Sequence, residues 1–236
     1  MPSCLEARDI SKNYDGSEVL DHVNLKAHAS RITTIIGVNG AGKTTLLKTL
    51  AGLEEINGGS ILIDSSEVSI GTLRSHATMV FQKSVMIGGT VYDNVAYGLR
   101  VKNVPKQAIK EKVRVALDTV NLANFESRKA RKLSSGEQQR VAIARALVIE
   151  RDIILIDEPT ANLDPANTMI IEEAISSVAR SRVLILSTHN LSQAKRLSHQ
   201  VIHLYKGRVV EDSKSEDFFA RPREEKTRLF VDGELQ

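Results

Sequence analysis

From Gly37 to Thr44 the chain reads GVNGAGKT, directly after the β-branched run Arg31 to Ile36 (RITTII). A β-branched run stopped by glycine reads as a buried strand, and a helix is expected from about Gly42 to Ala51. Strand, glycine loop and helix in that order are the opening half of a strand–helix–strand unit. They commit the chain to helices packed on a parallel sheet. The loop adds a chemical constraint. Its glycines let backbone N–H groups converge on phosphate oxygens with no Cβ in the way. The helix start supplies a dipole that favours an anion. The spacing fits G-x-x-x-x-G-K-[ST], with Lys43 placed to neutralise β- and γ-phosphate charge and Thr44 to hold Mg²⁺. Gly37, Asn39, Gly40, Ala41, Gly42, Lys43, Thr44 and Thr45 are the candidate phosphate contacts of this segment.

The remaining pattern agrees with an α/β fold. Residues up to about 30 alternate apolar and polar side chains around a turn at Asp15-Gly16, as antiparallel strands do. Ser60 to Asp64 and Ala77 to Gln82 read as strands, and Thr90 to about Glu150 as helix, with Val113, Ala116, Leu117 and Val120 on one apolar face. Strand–helix alternation returns with Asp152 to Asp157 (strand), Pro165 to Arg180 (helix) and Ser181 to Thr188 (strand). A short helix follows from Asn190, then a strand pair around Lys206-Gly207. With Trp absent and aromatics at 4%, the core must come from Ile, Val, Leu and Ala, the usual material of a buried parallel sheet. A length of 236 residues suits one large domain. The expected division is a sheet-bearing body at 1–83 and 149–236, and a helical insertion at 84–148.

Several function classes fall away. A net charge of +3 is too balanced to argue for nucleic acid. Ten basic residues against three acidic ones between Arg100 and Lys132 read either as a solvated helical surface or as a face near anionic lipid. The lone Cys4 has no internal disulfide partner. The start lacks a basic segment followed by an apolar run, so no leader is expected, and no apolar stretch is long enough to span a bilayer. The histidines other than His189 have no metal-ligand spacing, and Met79 and Met86 read as filler.

A second chemical signal lies at Ile153 to Glu158 (IILIDE), an apolar strand ending in two adjacent acids. Unpaired carboxylates are costly to bury, so acids there call for a cation. Asp157 is placed for Mg²⁺. Glu158 faces the other way and suits a general base that polarises an attacking water. The third signal is Leu133 to Arg140 (LSSGEQQR). By itself it is a helix start, with Ser134 or Ser135 capping and Glu137 or Gln138 answering. Upstream of the Asp-Glu strand end, it resembles the signature motif of ATP-binding cassette (ABC) ATPases, and the likeness extends over nearly the whole chain.

That resemblance implies a P-loop NTPase (RecA-like) core with a mostly parallel sheet, an N-terminal antiparallel β subdomain and an inserted α-helical subdomain. It implies ATP and Mg²⁺ as ligands. Tyr14 stands where the family stacks adenine. Gln82 is similar to its Q-loop glutamine, in contact with metal and water, and Ala161 to Asp164 (ANLD) to its D-loop. His189 is similar to its switch histidine, catalytic beside Glu158 and Lys43. Ser134, Gly136 and Gln138 are implied to cover the nucleotide of a second copy in a head-to-tail homodimer. Ser135 replaces a signature glycine, and Ala161-Asn162 replaces the usual Ser-Ala. The implied partners are a separate transmembrane permease, docked near Val85 to Gly98, and indirectly a substrate-binding protein. The implied place is the cytoplasmic face of the membrane. The ending Thr227 to Glu234 (TRLFVDGE) resembles ATPases of oxyanion importers, tungstate first and phosphate second. An exporter subunit, or a soluble ABC-class ATPase acting on nucleic acid or ribosomes, stands as the alternative.

Overall fold

The computed structural model describes residues 2–235. The alternating start forms β1 (Cys4–Tyr14) and β2 (Ser17–His28), paired antiparallel. Their two-residue turn puts Asp15 at φ 48° and Gly16 at φ 83°, the backbone that twists a tight hairpin correctly. Strict alternation would send Ala7 and Ile10 to opposite faces. The ladder slips between them, with Asp9 at φ 56°, and both are buried. β4 (Gly58–Ile63) pairs antiparallel with β1 and β5 (Ser66–Glu67) with β4, giving the sheet order β2-β1-β4-β5.

The second sheet contains β3 (Ile32–Ile36), β6 (Ala77–Val80), β7 (Ile153–Asp157), β8 (Val183–Thr188), β9 (Gln200–Tyr205) and β10 (Arg208–Lys214). Its order is β10-β9-β3-β8-β7-β6. β3 runs parallel to β8 and β9, β7 runs parallel to β8, and β10 closes an edge antiparallel to β9. Every residue of β3, β7 and β8 is buried, which explains their unbroken apolar and β-branched runs. The helices of this part are α1 (Lys43–Leu50), α2 (Ile70–His76), α7 (Leu191–Leu197), α8 (Ser215–Ala220) and α9 (Glu225–Val231). Leu46, Leu47 and Leu50 of α1 join Leu20, Ile35, Leu155, Ile185 and Leu204 in one core. A smaller core gathers Ile36, Val201, Phe218 and Phe230.

The chain divides into two compact units. The first holds the residues through Met79, Asp152–Glu158 and those from Ala179 onward, and so both sheets. The second comprises Val80–Arg151 and Pro159–Val178. It contains α3 (Val91–Val101), α4 (Lys106–Thr119), α5 (Ser135–Leu147) and nearly all of α6 (Pro165–Ala179). Thr90 and Asp93 close the start of α3 with reciprocal hydrogen bonds. The stripe Val113, Ala116, Leu117 and Val120 is buried. In the basic stretch, Arg114 pairs with Glu111 at 2.6 Å and Asp118 at 3.1 Å, and Lys112 with Glu150 at 2.5 Å. Lys102, Lys106 and Lys110 are exposed. Among the described residues, no helix is long and apolar enough to cross a membrane.

Candidate active site

Three parallel strands of the first unit position the site. Register places Ile36 beside Thr188 and Asp157 beside Ser187. The residues that leave β3, β7 and β8 therefore emerge together at the carboxyl edge of the sheet, where open α/β sheets bind ligands.

The loop after β3 is walled by backbone. A Cβ on Gly37 would lie 2.1 Å from the Leu204 carbonyl oxygen. A Cβ on Gly42, at φ 104°, would lie 2.9 Å from that of Val19. The Gly207 N–H donates to the Ala41 carbonyl at 3.0 Å. Glycine at these two loop positions is thus required by close approach. Gly40, at φ 79°, meets open space instead and leaves its backbone face bare. Asn39 and Gly40 are exposed, Ala41 and Gly42 buried, and Thr45 half-buried.

Lys43 is buried, and its ammonium donates to the carbonyls of Gly37 at 2.7 Å and Val38 at 3.0 Å. Burial pushes its pKa down, while Glu158 and Asp157 pull it back. The Thr44 hydroxyl donates to Asp157 Oδ2 at 2.8 Å, and the Ser187 hydroxyl donates to Asp157 Oδ1 at 2.5 Å. Glu158 adopts φ 45°, a left-handed backbone that costs a non-glycine residue about 1–3 kcal/mol. Its N–H donates to the Ser187 carbonyl at 3.1 Å. The Glu158 carboxylate lies apart from Asp157 in its pairings, with Oε1 3.7 Å from Lys43 Nζ and Oε2 2.9 Å from His189 Nδ1. One strand end thus presents two acids to two different sets of partners. Half of the His189 side chain remains exposed.

Tyr14 ends β1, is 39% exposed and carries Lys12 Nζ 4.9 Å from its ring centroid. It pairs with Ser17, two residues before the Val19 carbonyl that walls Gly42. The hairpin tip and the loop therefore belong to one neighbourhood. The first unit gathers Tyr14, the Gly37–Thr45 segment, Asp157, Glu158 and His189.

Gln82, Ser134, Gly136 and Gln138 belong to the second unit. Gln82 does not end a strand as expected, because β6 stops at Val80 and Gln82 sits exposed in a bend. Ser134 caps α5. Its Oγ accepts from the Glu137 N–H at 3.3 Å, and Glu137 Oε2 accepts from the Ser134 N–H at 2.8 Å and hydroxyl at 2.9 Å. Ser135 lies in the exposed first turn, Gly136 is buried, and the Gln138 amide donates to the Leu133 carbonyl at 2.9 Å.

The donor set suits Mg²⁺. Thr44 and Asp157 offer hard oxygens 2.8 Å apart. Among the described residues no cluster of three or more His, Cys, Asp and Glu forms a cage. Mg²⁺ characteristically takes one or two protein oxygens and completes its shell with water and substrate phosphates. Ser187 is the residue that sequence reasoning missed. It is fully buried, holds Asp157 by its hydroxyl and Glu158 by its carbonyl. Its signal was its place two residues before His189, which matters only once the pairing of β7 with β8 is known.

Residues 20–161 match the family model described as ABC transporter. The chain is 40% identical over 248 aligned positions to the phosphate import ATP-binding protein PstB 2 of Natronomonas pharaonis, covering 98% of this chain and 87% of that one. It is 39% identical over 205 positions to the tungstate uptake system ATP-binding protein TupC of Peptoclostridium acidaminophilum, covering 86% of this chain and 95% of that one. Among solved structures, CbiO1 of Clostridium perfringens, part of the ABC transporter complex CbiONQ, superposes with a TM-score of 0.86 at 28% identity. That match covers 94% of this chain and 92% of the other.

Proposed function

The chain belongs to the ABC transporter family, and from that premise we propose that it powers an importer for a tetrahedral oxyanion, tungstate first. It is the ATP-binding subunit of an ABC importer and an ATPase whose turnover is coupled to transport. The observation that carries the mechanism is the convergence of Lys43, Thr44, Asp157, Glu158 and His189 at the ends of three adjacent strands.

Each residue has a task in that arrangement. The bare backbone at Gly40 and the start of α1 cradle the phosphates, and Lys43 exchanges its carbonyl partners for phosphate oxygens. Thr44 and Asp157 hold Mg²⁺, which when bound neutralises charge on the phosphate oxygens. Glu158 takes the proton of the attacking water, and His189 holds the Glu158 carboxylate in place. Tyr14 stacks on the base. Gln82 has the role of a ligand to metal and water. Ser134, Gly136 and Gln138 cover the nucleotide of a second copy, in a head-to-tail homodimer. The permease docks on the segment Val85 to Gly98, at the cytoplasmic face of the membrane, and a substrate-binding protein delivers the anion from the other side.

Tungstate is supported by the 39% identical uptake subunit. Phosphate is the second reading, favoured by the broader coverage of the 40% identical relative. The test is purification of the chain with its membrane subunit, reconstitution into vesicles, and measurement of ATP-driven uptake of tungstate against phosphate. Inward accumulation of tungstate is expected. Uptake of phosphate alone would transfer the assignment to phosphate, and outward movement would overturn import.

A further inference from the structure

Gly136 owes its smallness to its own chain. A Cβ there would lie 2.5 Å from Asn167 Cγ, 2.7 Å from its Nδ2 and 2.9 Å from its Oδ1. Gly136 lies inside α5 and is not among the glycines with positive φ. Its backbone therefore does not call for glycine, whereas the space above it does. The Asn167 amide fills that space, and both residues belong to the second unit.

The amide there is engaged in a hydrogen bond. Its Nδ2 donates to Asp164 Oδ2 at 2.5 Å, and the Asn167 backbone N–H donates to Oδ1 at 3.0 Å. Hydrogen bonds from Asn167, the backbone one foremost, hold the Asp164 carboxyl below the usual range. The Asp164 carbonyl also accepts the Thr168 N–H at 3.0 Å, fixing the first turn of α6. Between Glu158 and this anchor run only the residues from Pro159 to Leu163. They form a tight course in which the Leu163 N–H donates to the Thr160 carbonyl at 3.2 Å and Asn162 takes φ 63°. Asp164 is thus the tethered end of the segment that leaves Glu158.

We infer that Asn167 is a positioning residue for ATP hydrolysis, resting on the proposed role of Glu158: its amide, seated over Gly136, latches Asp164 and so holds the course of the segment that follows the base. Glycine stands at 136 to leave room for the latch. A side chain placed there acts by evicting the amide, and it breaks the same bond that removal of the amide would break.

The experiment compares kcat and KM for ATP in Asn167→Ala, Asn167→Leu, Gly136→Ala and the Gly136→Ala/Asn167→Ala double variant. Each Asn167 variant is expected to lose about tenfold in kcat with KM changed by no more than about twofold, since a hydrogen bond to a carboxylate is removed while the phosphate contacts stay, and Gly136→Ala should lose at least as much in kcat. The double variant should be no slower than the slower single, because both changes remove one shared interaction. Asn167→Leu keeps the size and loses the donor without setting a second carboxylate against Asp164, so it should behave as Asn167→Ala. A residue that only fills space would leave Asn167→Leu at the wild-type rate. Wild-type kcat in either Asn167 variant overturns the inference, as does a double variant whose loss is the product of the two single losses. Should Gly136→Ala not fold, the two Asn167 variants decide on their own. Hydrolysis by the unsubstituted chain that is lost in Glu158→Gln keeps the proposed function standing whatever Asn167 does.

Discussion

Two helix starts in this molecule, those of α1 and α5, are finished in opposite ways. α1 begins at Gly42, with no side chain capping it and no acid in its first turn. Its leading N–H groups and positive dipole end are left for something outside the chain. α5 begins at Ser134 with a complete capping box, and it carries Glu137 in its first turn. Burial pushes the Glu137 carboxyl up, but the hydrogen bonds from Ser134 outweigh it and hold its pKa below the usual range. A charged Glu137 offsets the dipole at that end. One start thus leaves its dipole unanswered by any acid of its own, and the other has supplied one. Under the proposed function most of the phosphate binding falls to α1, and α5 acts through the Ser134 hydroxyl and the close-packed turn at Gly136.

The largest expected effect tests the acid beside the open start. Glu158→Gln should lower kcat by about 10³-fold while ATP binding persists, because the water loses its base and the phosphate contacts remain. Single-turnover kinetics read this directly, and an unchanged rate would remove Glu158 from the mechanism. Lys43→Ala takes the cation from the same start and should cost about 10²-fold or more in kcat, with weaker ATP binding. Titration with a fluorescent ATP analogue and a phosphate-release assay check both parts. Tyr14→Ala acts at the rim and should weaken ATP affinity by about tenfold at nearly constant kcat, the scale of one base stacked on one aromatic ring. Equal affinity in that variant returns Tyr14 to a hairpin residue. The smallest effect sharpens the contrast with α5. Ser134→Ala should lower stability by about 1 kcal/mol even without nucleotide, since it opens the cap. A thermal melt identical to the wild type would mean that the cap is not what finishes that helix.

Local chemistry was well marked in the sequence. The glycines and lysine of the Gly37 loop, the two acids at the end of β7 and the cap at Ser134 depend on neighbours a few residues away, so the order of residues suffices to reveal them. The resemblance to ABC ATPases likewise rested on short runs, and it holds for the family. What escaped was set by pairing at long range. Ser187 matters because β8 lies beside β7 in one register. The contact of Gly136 with Asn167 joins residues that no short-range pattern links. The sequence reads as strand from Ala77 to Gln82, yet in the structure β6 stops at Val80 and the apolar Phe81 that follows is 44% exposed.

The wall behind the Gly37 loop has a consequence for how the protein is made. The carbonyl that bounds Gly37 belongs to Leu204, and the N–H that holds Ala41 belongs to Gly207. Those residues leave the ribosome long after the loop does. At about 5–20 residues per second, the interval is on the order of ten seconds or more. Throughout it Gly37 has emerged without the strand that confines it, and for most of it β3 lacks both of its eventual neighbours, β8 and β9. The nascent chain therefore carries the whole Gly37–Thr44 sequence well before the wall behind it is in place. A fragment released before residue 200 should be incompetent for ATP although every residue of the loop is present.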